Sequence, residues 1–427
     1  MPEETREPVK QDATTTEPAD QPRDMPGRAL AAAEPAPGSR ISRVQAAWVR
    51  MPIEAGFQHV SDFGRLRTFD TAVIRIETDD GMVGYGEARN AAGSAGTYAA
   101  LVAAVNHELA PELIGLDPRN VVAIWDRMYN GTRAGYAADR GHVFPVLGRR
   151  GIAVAAMSGV DIALWDILAK SLGVPLWQVL GGRKATHLPA YASGGWADVE
   201  GIGAQLAGYV ETGGFRSVKM RVGAMDGTVR RSAARVEAAR KALGPEVALM
   251  CDAHGTFTVA EAKHFCHLVR DLDVAWFEEP VTGDDKQGMG EVRASTHIPI
   301  AAGESEYTRF DFRDLVEHRA VDILQPDLAV CGGITEGLRI GGLAAAHNLR
   351  MAPHLWAGAP AFAAGLHFCA ASASSFVVEY SLGANPMLHD LVEEDFLVCD
   401  GMVEVPDRPG LGVTVREDVV EAYTVEV

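Results

Sequence analysis

The stretch that decides the fold runs from residue 248 to residue 306 and reads ALMCDAHGTFTVAEAKHFCHLVRDLDVAWFEEPVTGDDKQGMGEVRASTHIPIAAGESE. Three short apolar runs in it each end at a carboxylate, Asp252, Glu278 and Glu304, and these follow one another at intervals of 26 residues. One strand, one helix and two loops of a βα barrel take up about this length, and the carboxyl ends of parallel barrel strands meet at one rim. Carboxylate oxygens are ligands that Mg²⁺ prefers, so the sequence predicts a magnesium site at that rim.

Strand-like runs with a charged or titratable residue at their end continue on both sides of this stretch, at intervals of 23 to 33 residues. Upstream, FRSVKMR carries Lys219 and Arg221 at its end. Downstream, VDILQPD ends at Asp327, LRMAPH ends at His354 and SFVVEY carries Glu379. An earlier run, LPAYASGG, brings the number of strand-like runs to eight, and the segments between them show the apolar spacing of amphipathic helices. Alternating strands and helices predict a parallel sheet with these side chains at one rim.

The rest of the chain divides into three parts. Residues 41–187 contain TFDTAVIRIETDDGMVGYGEA, which alternates like an antiparallel hairpin, followed by helical stretches, and this pattern predicts an α+β domain. Residues 386–427 read as strand and turn and are expected to return to that domain. Residues 1–40 are rich in Pro, Thr, Glu and Asp with few large apolar side chains, which predicts a disordered tail rather than a signal peptide.

Composition narrows the possible functions. The net charge of −18 and the pI near 5.2 argue against sequence-independent binding to nucleic acid, because no basic face can neutralise phosphates. Apolar runs fall short of the ~20 residues that cross a bilayer, so no membrane partner is expected. The five cysteines are odd in number and scattered, which predicts buried free thiols and a reducing, cytoplasmic location.

Over residues 41–427 the chain resembles the mandelate racemase branch of the enolase superfamily. The matching features are TAVIRIETDDGMVGYGEA, ALWDILAKSLGVPLWQVLGG, Lys219-x-Arg221, Asp252, Glu278-Glu279-Pro280, Gly303-Glu304, Pro326-Asp327 followed by Gly332-Gly333, His354 and Glu379. The resemblance implies an α/β fold with a modified TIM barrel, (β/α)7β, over residues 188–385 and an N-terminal α+β capping domain. It also implies Mg²⁺ on the three carboxylates and removal of a proton alpha to a substrate carboxylate.

His354 is predicted to be the general base. An imidazole titrates near neutrality, and Asp327 at the preceding strand end is placed to hold its other ring nitrogen. The alternative is that His354 has a purely structural role. The neighbouring Asp327 and the family resemblance favour the role of base. Glu379 lies in an apolar run and is predicted to be protonated and to donate a hydrogen bond to the substrate. Its alternative is a capping or ion-pairing role.

Glu279 is predicted to turn away from the metal into a salt bridge at the rim.

Two residues depart from the racemase pattern. Racemases of this branch carry Lys-x-Lys, with the second lysine as a base, whereas this chain has Arg221, which stays charged and accepts protons poorly. Arg221 is therefore predicted to clamp substrate oxygen beside Lys219; the alternative is that Lys219 is itself the base. His254, two residues after Asp252, is predicted to share its face and to protonate a departing hydroxide, as in related sugar-acid dehydratases with Asp-x-His. Its alternative role is to orient Asp252.

These features predict a Mg²⁺-dependent dehydratase that converts an aldonate or aldarate to a 2-keto-3-deoxy acid. A racemase or epimerase would use the same intermediate, and a non-catalytic ligand-binding protein is the alternative of another class. A muconate-type cycloisomerase is not expected to keep the histidine–aspartate pair. The partners expected are a small sugar acid and further copies of the chain, because relatives are often oligomers. Candidate substrate contacts are Gln58, His59, Arg65, Arg67, Trp196 and Trp356, with an ordinary surface or packing role as the alternative for each.

Overall fold

The computed structural model describes residues 39–61, 64–89, 95–131 and 148–427. These belong to one compact unit, Gly38–Val427. The predicted disordered tail therefore lies, but for its last two residues, outside the described residues.

The N-terminal part is a three-stranded antiparallel sheet covered by helices. The sheet has the order β1, β4, β5, and the β4–β5 hairpin turns at Gly81, whose φ of 87° favours glycine. The elements are β1 (Ile41–Pro52), a 3-10 turn (Ala55–Phe57), β2 (Val60–Ser61), β3 (Gly64–Arg65), β4 (Thr68–Thr78), β5 (Val83–Ala88), α1 (Ala95–Ala103), a π-helical segment (Ala104–Leu109), α2 (Ala110–Leu113), α3 (Val121–Asn130), α4 (Ile152–Leu172) and α5 (Leu176–Val179).

Helix α4 is the core of this part. It is 21 residues long and apolar enough to cross a membrane by length and composition, contrary to the expectation from the sequence that no run reaches that length. Most of the helix is nevertheless buried, and its backbone lies directly on β5, because a Cβ added at Gly86 would come within 1.9 Å of the carbonyl oxygen of Gly159. Its apolar composition is therefore explained by a core position.

The C-terminal part confirms the (β/α)7β prediction. Strands β6 to β12 pair in parallel in chain order, β13 pairs back with β6, and a bridge between Met351 and Ser375 joins β12 to the segment before β13. The elements are β6 (His187–Gly194), α6 (Ile202–Gly213), β7 (Ser217–Arg221), a 3-10 turn (Ala224–Asp226), α7 (Val229–Leu243), β8 (Ala248–Asp252), α8 (Val259–Leu268), β9 (Val274–Glu278), α9 (Lys286–Ala294), β10 (Ile300–Ala302), α10 (Thr308–Glu317), β11 (Ile323–Leu324), α11 (Gly333–Ala346), β12 (Arg350–Met351), α12 (Ala359–Ala371) and β13 (Val378–Ser381).

Local sequence signals place the helices between these strands. Thr258 begins α8 with a capping box: its hydroxyl accepts from the backbone N–H of Glu261, and the Glu261 carboxylate accepts from the backbone N–H of Thr258. Inside the barrel a small apolar layer supports the rim from below. It consists of Tyr191, Met250, Trp276, Ala301, Ile323, Ala352 and Val377.

The end of the chain touches both parts of the molecule. It contains α13 (Pro386–His389), β14 (Val398–Cys399), β15 (Met402–Glu404) and α14 (Glu417–Tyr423). β15 adds an antiparallel strand to β6, and Val425 donates a backbone hydrogen bond to Trp48 in β1. The predicted return to the capping domain is thus made by the last residues. All five cysteines are free, but Cys399 in β14 is exposed, so the expectation of buried thiols fails for this one.

His367 gives a testable pH dependence of stability. This fully buried side chain in α12 accepts the Trp177 backbone N–H on Nδ1, and its Nε2 lies 3.1 Å from the Leu411 carbonyl oxygen. Burial lowers its pKa from 6.5 to about 4. The unfolded chain therefore binds the extra proton first, and stability that is complete above pH 6.5 is lost as pH falls towards 4. At pH 5 the loss attributable to His367 is about 2 kcal/mol.

Urea unfolding at pH 7.5 and pH 5.0 measures this effect. The free energy of unfolding of His367→Gln should fall less between the two pH values than that of the wild type. His347→Asn, an exposed histidine, is the matched control and should behave as wild type. Equal pH losses in His367→Gln and wild type would contradict the assignment.

Candidate active site

The three predicted metal ligands lie together at the barrel rim. Asp252 and Glu278 are the last residues of β8 and β9, and Glu304 follows β10 after Gly303. All three side chains are buried, and one oxygen of each lies within 4.8 Å of the others. Three buried carboxylates at this spacing form a donor set that fits a hard divalent cation such as Mg²⁺.

Two cations from β7 lie against these carboxylates. Lys219 Nζ is 2.6 Å from Glu278 Oε1, 3.0 Å from Glu379 Oε1 and 3.6 Å from Asp252 Oδ2. Arg221 Nη1 is 2.8 Å from Asp252 Oδ2. Even so, burial raises the pKa of Glu278 to about 7, against the opposing charge of Lys219. The acidic cluster is therefore only partly compensated by the chain's own cations, as expected of a site built for a further positive charge.

Lys219 is not suited to act as the base. Burial alone lowers the pKa of an ammonium group, but Glu278 and Glu379 outweigh it and hold the pKa of Lys219 well above its ordinary value. A permanently charged Lys219 can stabilise negative charge on a substrate but cannot accept its proton. The alternative role weighed from the sequence is therefore not supported.

His354 and Asp327 form the predicted pair. His354 Nδ1 lies 2.8 Å from Asp327 Oδ2, whose other oxygen accepts the backbone N–H of Ala329 at 2.8 Å. His354 Nε2 lies 3.5 Å from Glu304 Oε2, and His354 lines the central cavity. Burial lowers the pKa of His354, but Glu304, Glu379 and Asp327 outweigh it and raise it to about 9. The Nε2 atom is the one available to a substrate.

His254 reaches the site by a different route from the one predicted. Strand β8 ends at Asp252, so strand alternation does not place His254; its φ of 51° is left-handed, and its backbone N–H donates to Asp252 Oδ1 at 2.9 Å. Such backbone strain in a residue other than glycine is typical of functional sites. His254 Nε2 lies 3.0 Å from Glu304 Oε1, so His254 and His354 flank the two oxygens of one carboxylate.

Two predictions about glutamates need correction. Glu379 was expected to be protonated, and burial does raise its pKa, but Lys219 and His354 outweigh burial and lower the pKa to about 2. Glu379 is thus an ion-pairing carboxylate that also accepts the Leu355 backbone N–H at 2.9 Å. Glu279 was expected to turn away, yet its φ of 40° leaves its carboxylate within 4.8 Å of ligand atoms of His254 and Glu304. It is a possible additional ligand.

A cavity of about 200 Å³ opens above these groups. Of the six candidate substrate contacts, His59, Trp196 and Trp356 line it, whereas Gln58, Arg65 and Arg67 do not. His59, from the loop between β1 and β4, stacks on Trp196 with ring centroids 3.9 Å apart. Burial, with the charge of Arg221, lowers the pKa of His59 to about 4, so the ring is neutral. The loop therefore covers one side of the cavity.

The capping domain contributes residues that the sequence analysis missed. Thr68, Asp70, Arg89 and Tyr98 line the cavity beside the barrel residues. Arg89 comes directly after β5, so it is a charged residue at a strand end, the same signal that located the barrel residues. The sequence alone gives no reason to expect that a strand end of a separate domain meets the barrel rim.

Comparison with known proteins agrees with this architecture. Residues 41–181 match the family model for the mandelate racemase / muconate lactonizing enzyme N-terminal domain, and residues 201–419 match the enolase C-terminal domain-like model. The chain belongs to the enolase superfamily. A racemase of this superfamily fold from Streptomyces coelicolor, solved with bound magnesium, superposes with a TM-score of 0.78 at 29% identity over 90% of this chain and 100% of its own.

Several superfamily relatives have named activities. Arabinonate dehydratase of Saccharolobus solfataricus is 35% identical over 83% of this chain and 90% of its own length. D-galactonate dehydratase of Ralstonia nicotianae is 36% identical over 81% of this chain and 89% of its own length. D-galactarolactone cycloisomerase of Agrobacterium fabrum is 35% identical over 82% of this chain and 90% of its own length. The relatives thus include enzymes named for the elimination of water and one named for the conversion of a lactone.

Proposed function

We propose that this enolase-superfamily chain is a sugar-acid dehydratase. The enzyme removes the C2 proton of an aldonate or aldarate and expels the C3 hydroxyl as water, and the resulting enol becomes a 2-keto-3-deoxy acid. The observation that carries the proposal is the pair of imidazoles on Glu304: His354 on one oxygen and His254 on the other. A base and an acid this close can serve adjacent carbons of one substrate.

The fit of the site to Mg²⁺ supports the same chemistry. Asp252, Glu278 and Glu304 would hold the ion, which when bound would stabilise negative charge developing on the substrate carboxylate. A proton next to a carboxylate is weakly acidic, because its removal leaves a dianionic enediolate. Lys219 and Arg221 add fixed positive charge where that dianion forms, and they need no rearrangement to do so.

His354 and His254 each transfer one proton in the proposed reaction. Neutral His354 accepts the C2 proton on Nε2, while Asp327 holds Nδ1 and stabilises the imidazolium that results. Glu304 is the first of the charges that raise the pKa of His354, and a cation held by the three carboxylates would offset that charge. Protonated His254 then donates to the leaving C3 hydroxyl, and water departs. Lys219 and Arg221 stay charged and therefore cannot serve as a base on a second face of the substrate, which disfavours racemisation.

A cycloisomerase is the second candidate, because one of the similar relatives carries that name. Opening a lactone also begins with removal of an alpha proton, but its leaving group is a carboxylate, which departs without an acid. Dependence on His254 therefore separates the two reactions: dehydration needs the imidazole and lactone opening does not.

Substitution of His254 by asparagine tests the assignment. Dehydration should fall by about 100-fold or more, the usual contribution of a general acid, while exchange of the C2 proton with D₂O persists. Proton NMR follows both reactions in one sample. His264→Asn, an exposed histidine on α8, should leave both unchanged. Equal loss of exchange and dehydration would show instead that His254 only orients Asp252.

The function itself is tested by a substrate screen. Purified protein with Mg²⁺ is incubated with a panel of aldonates, aldarates and their lactones, and 2-keto acids are detected. Formation of a 2-keto-3-deoxy acid from an open-chain acid is the expected result. Inactivity across the panel, together with intact Mg²⁺ binding, would favour the non-catalytic alternative.

A further inference from the structure

One cation in the cavity wall is not used by the proposed reaction. Arg89 follows β5, and its backbone N–H donates to the Ala329 carbonyl oxygen at 3.0 Å, in the loop that contains Asp327. Two residues earlier, the Glu87 carboxylate accepts the backbone N–H of Gly358 at 2.8 Å, in the loop that follows His354. Arg89 is thus fixed to the two barrel loops that carry the base and its partner.

The Arg89 guanidinium lacks a carboxylate partner among the described residues. The side chain is half-buried, and its Nε has no hydrogen-bond partner among the described residues. Its neighbours are the Tyr98 hydroxyl and the Phe69 ring, whose centroid is 5.4 Å away. The Asp327 and Glu87 carboxylates favour the charged form of Arg89, but neither forms an ion pair with it.

Lys219, Arg221 and His354, which also line the cavity, are each paired with a carboxylate. A charged side chain that lines the cavity with an unsatisfied Nε is suited to bind an anionic group of the ligand.

The acid nearest to this wall does not fill that role. Asp70 lines the cavity, but its Oδ1 accepts from Trp48 Nε1 and Arg50 Nε, both at 2.7 Å, and its Oδ2 accepts from the Thr68 hydroxyl at 2.9 Å. Its charge is compensated by Arg50, which does not line the cavity. The wall formed by the capping domain therefore presents the charge of Arg89 to a ligand.

We infer that Arg89 binds the second carboxylate of a diacid, so that the substrate class of this site is an aldarate. The inference rests on the proposed function, in which the reacting carboxylate lies at the metal ligands and C2 lies at His354. The distal end of the substrate then faces the capping domain. A guanidinium binds a carboxylate through two parallel charged hydrogen bonds, whereas the terminal hydroxymethyl group of an aldonate offers one neutral oxygen.

Matched pairs of substrates test the inference. Gluconate is compared with glucarate, galactonate with galactarate and arabinonate with arabinarate, so that each pair differs only at the terminal carbon. The wild type should show a higher kcat/KM for the diacid of the preferred configuration. Arg89→Met should lower kcat/KM for that diacid by about 100-fold and for the monoacid by less than about 3-fold, and Arg89→Lys should recover part of the loss. Arg43→Met, an exposed capping-domain arginine, is the control.

Two results would overturn the inference. One is a wild-type preference for aldonates. The other is an equal fall of kcat for both members of a pair in Arg89→Met, which would mean that Arg89 acts through Asp327 and His354 as a positioning residue.

A binding measurement separates this inference from the proposed function. Calorimetry on the Mg²⁺-loaded protein compares the affinities for adipate and hexanoate. Neither ligand carries a hydroxyl group, so neither can be dehydrated. Adipate should bind about 10-fold tighter to wild type, and Arg89→Met should remove the difference. If wild type prefers adipate yet dehydrates no sugar acid, the proposed function fails and the diacid subsite stands. If wild type dehydrates aldonates and Arg89→Met keeps the adipate preference, the subsite fails and the function stands.

Discussion

Replacing His354 by asparagine is expected to lower kcat for dehydration by about 10⁴-fold, the upper range for loss of a general base. Asparagine keeps a polar side chain beside Asp327 but cannot accept the proton at neutral pH. Because the base acts before the leaving group departs, exchange of the C2 proton with D₂O should be lost to the same extent. This distinguishes His354→Asn from His254→Asn, in which exchange should persist.

Binding of Mg²⁺ should survive the His354 substitution. His354 lies 3.5 Å from Glu304, but it does not belong to the group of carboxylates assigned to the ion. Calorimetric titration with Mg²⁺ should therefore give an affinity within about 3-fold of wild type, since the change adds no unpaired charge at the ligands. Turnover at the wild-type rate would refute the base assignment, and loss of folding, seen by circular dichroism, would call for His354→Gln in its place.

The rim of the barrel was predictable because its signal is periodic. Asp252, Glu278 and Glu304 recur at one βα interval, and each lies at the end of a buried strand or within two residues of it. In a parallel barrel that position alone fixes which edge a side chain joins. The placement of Lys219 and Asp327 follows from the same rule, so spacing was sufficient to assemble most of the site.

The details that the sequence did not predict depend on contacts between distant segments. Glu279 stays near the cluster because of a left-handed φ, which strand alternation does not foresee. Glu379 is ionised because β7 and β13, both neighbours of β6, bring Lys219 within 3.0 Å of it; an apolar run had suggested a neutral carboxyl. Arg89 enters the cavity because Glu87 ties its strand to the barrel loops. Each depends on a partner far away in the chain.

Substitution of Glu304 by glutamine is expected to have the second largest effect. Glu304 is both a predicted metal ligand and the carboxylate between His254 and His354. Loss of a charged ligand should weaken Mg²⁺ binding by at least about 100-fold and lower kcat by about 10³-fold. Thermal unfolding gives a second measure, because Mg²⁺ that binds only the folded chain raises the unfolding midpoint of wild type but should not raise that of the variant.

Glu306→Gln is the matched control for this experiment. Glu306 is a buried glutamate two residues further along the same loop, where it pairs with Lys286 at 2.9 Å and does not belong to either group of potential ligands. Its loss should leave Mg²⁺ affinity unchanged, even if the loop is destabilised. Wild-type affinity in Glu304→Gln would remove Glu304 from the site. Glu279→Gln tests the alternative group of ligands, His254, Glu279 and Glu304. If it weakens Mg²⁺ binding as much as Glu304→Gln does, the ion is held by that group. His254 would then be a metal ligand and could not serve as the acid.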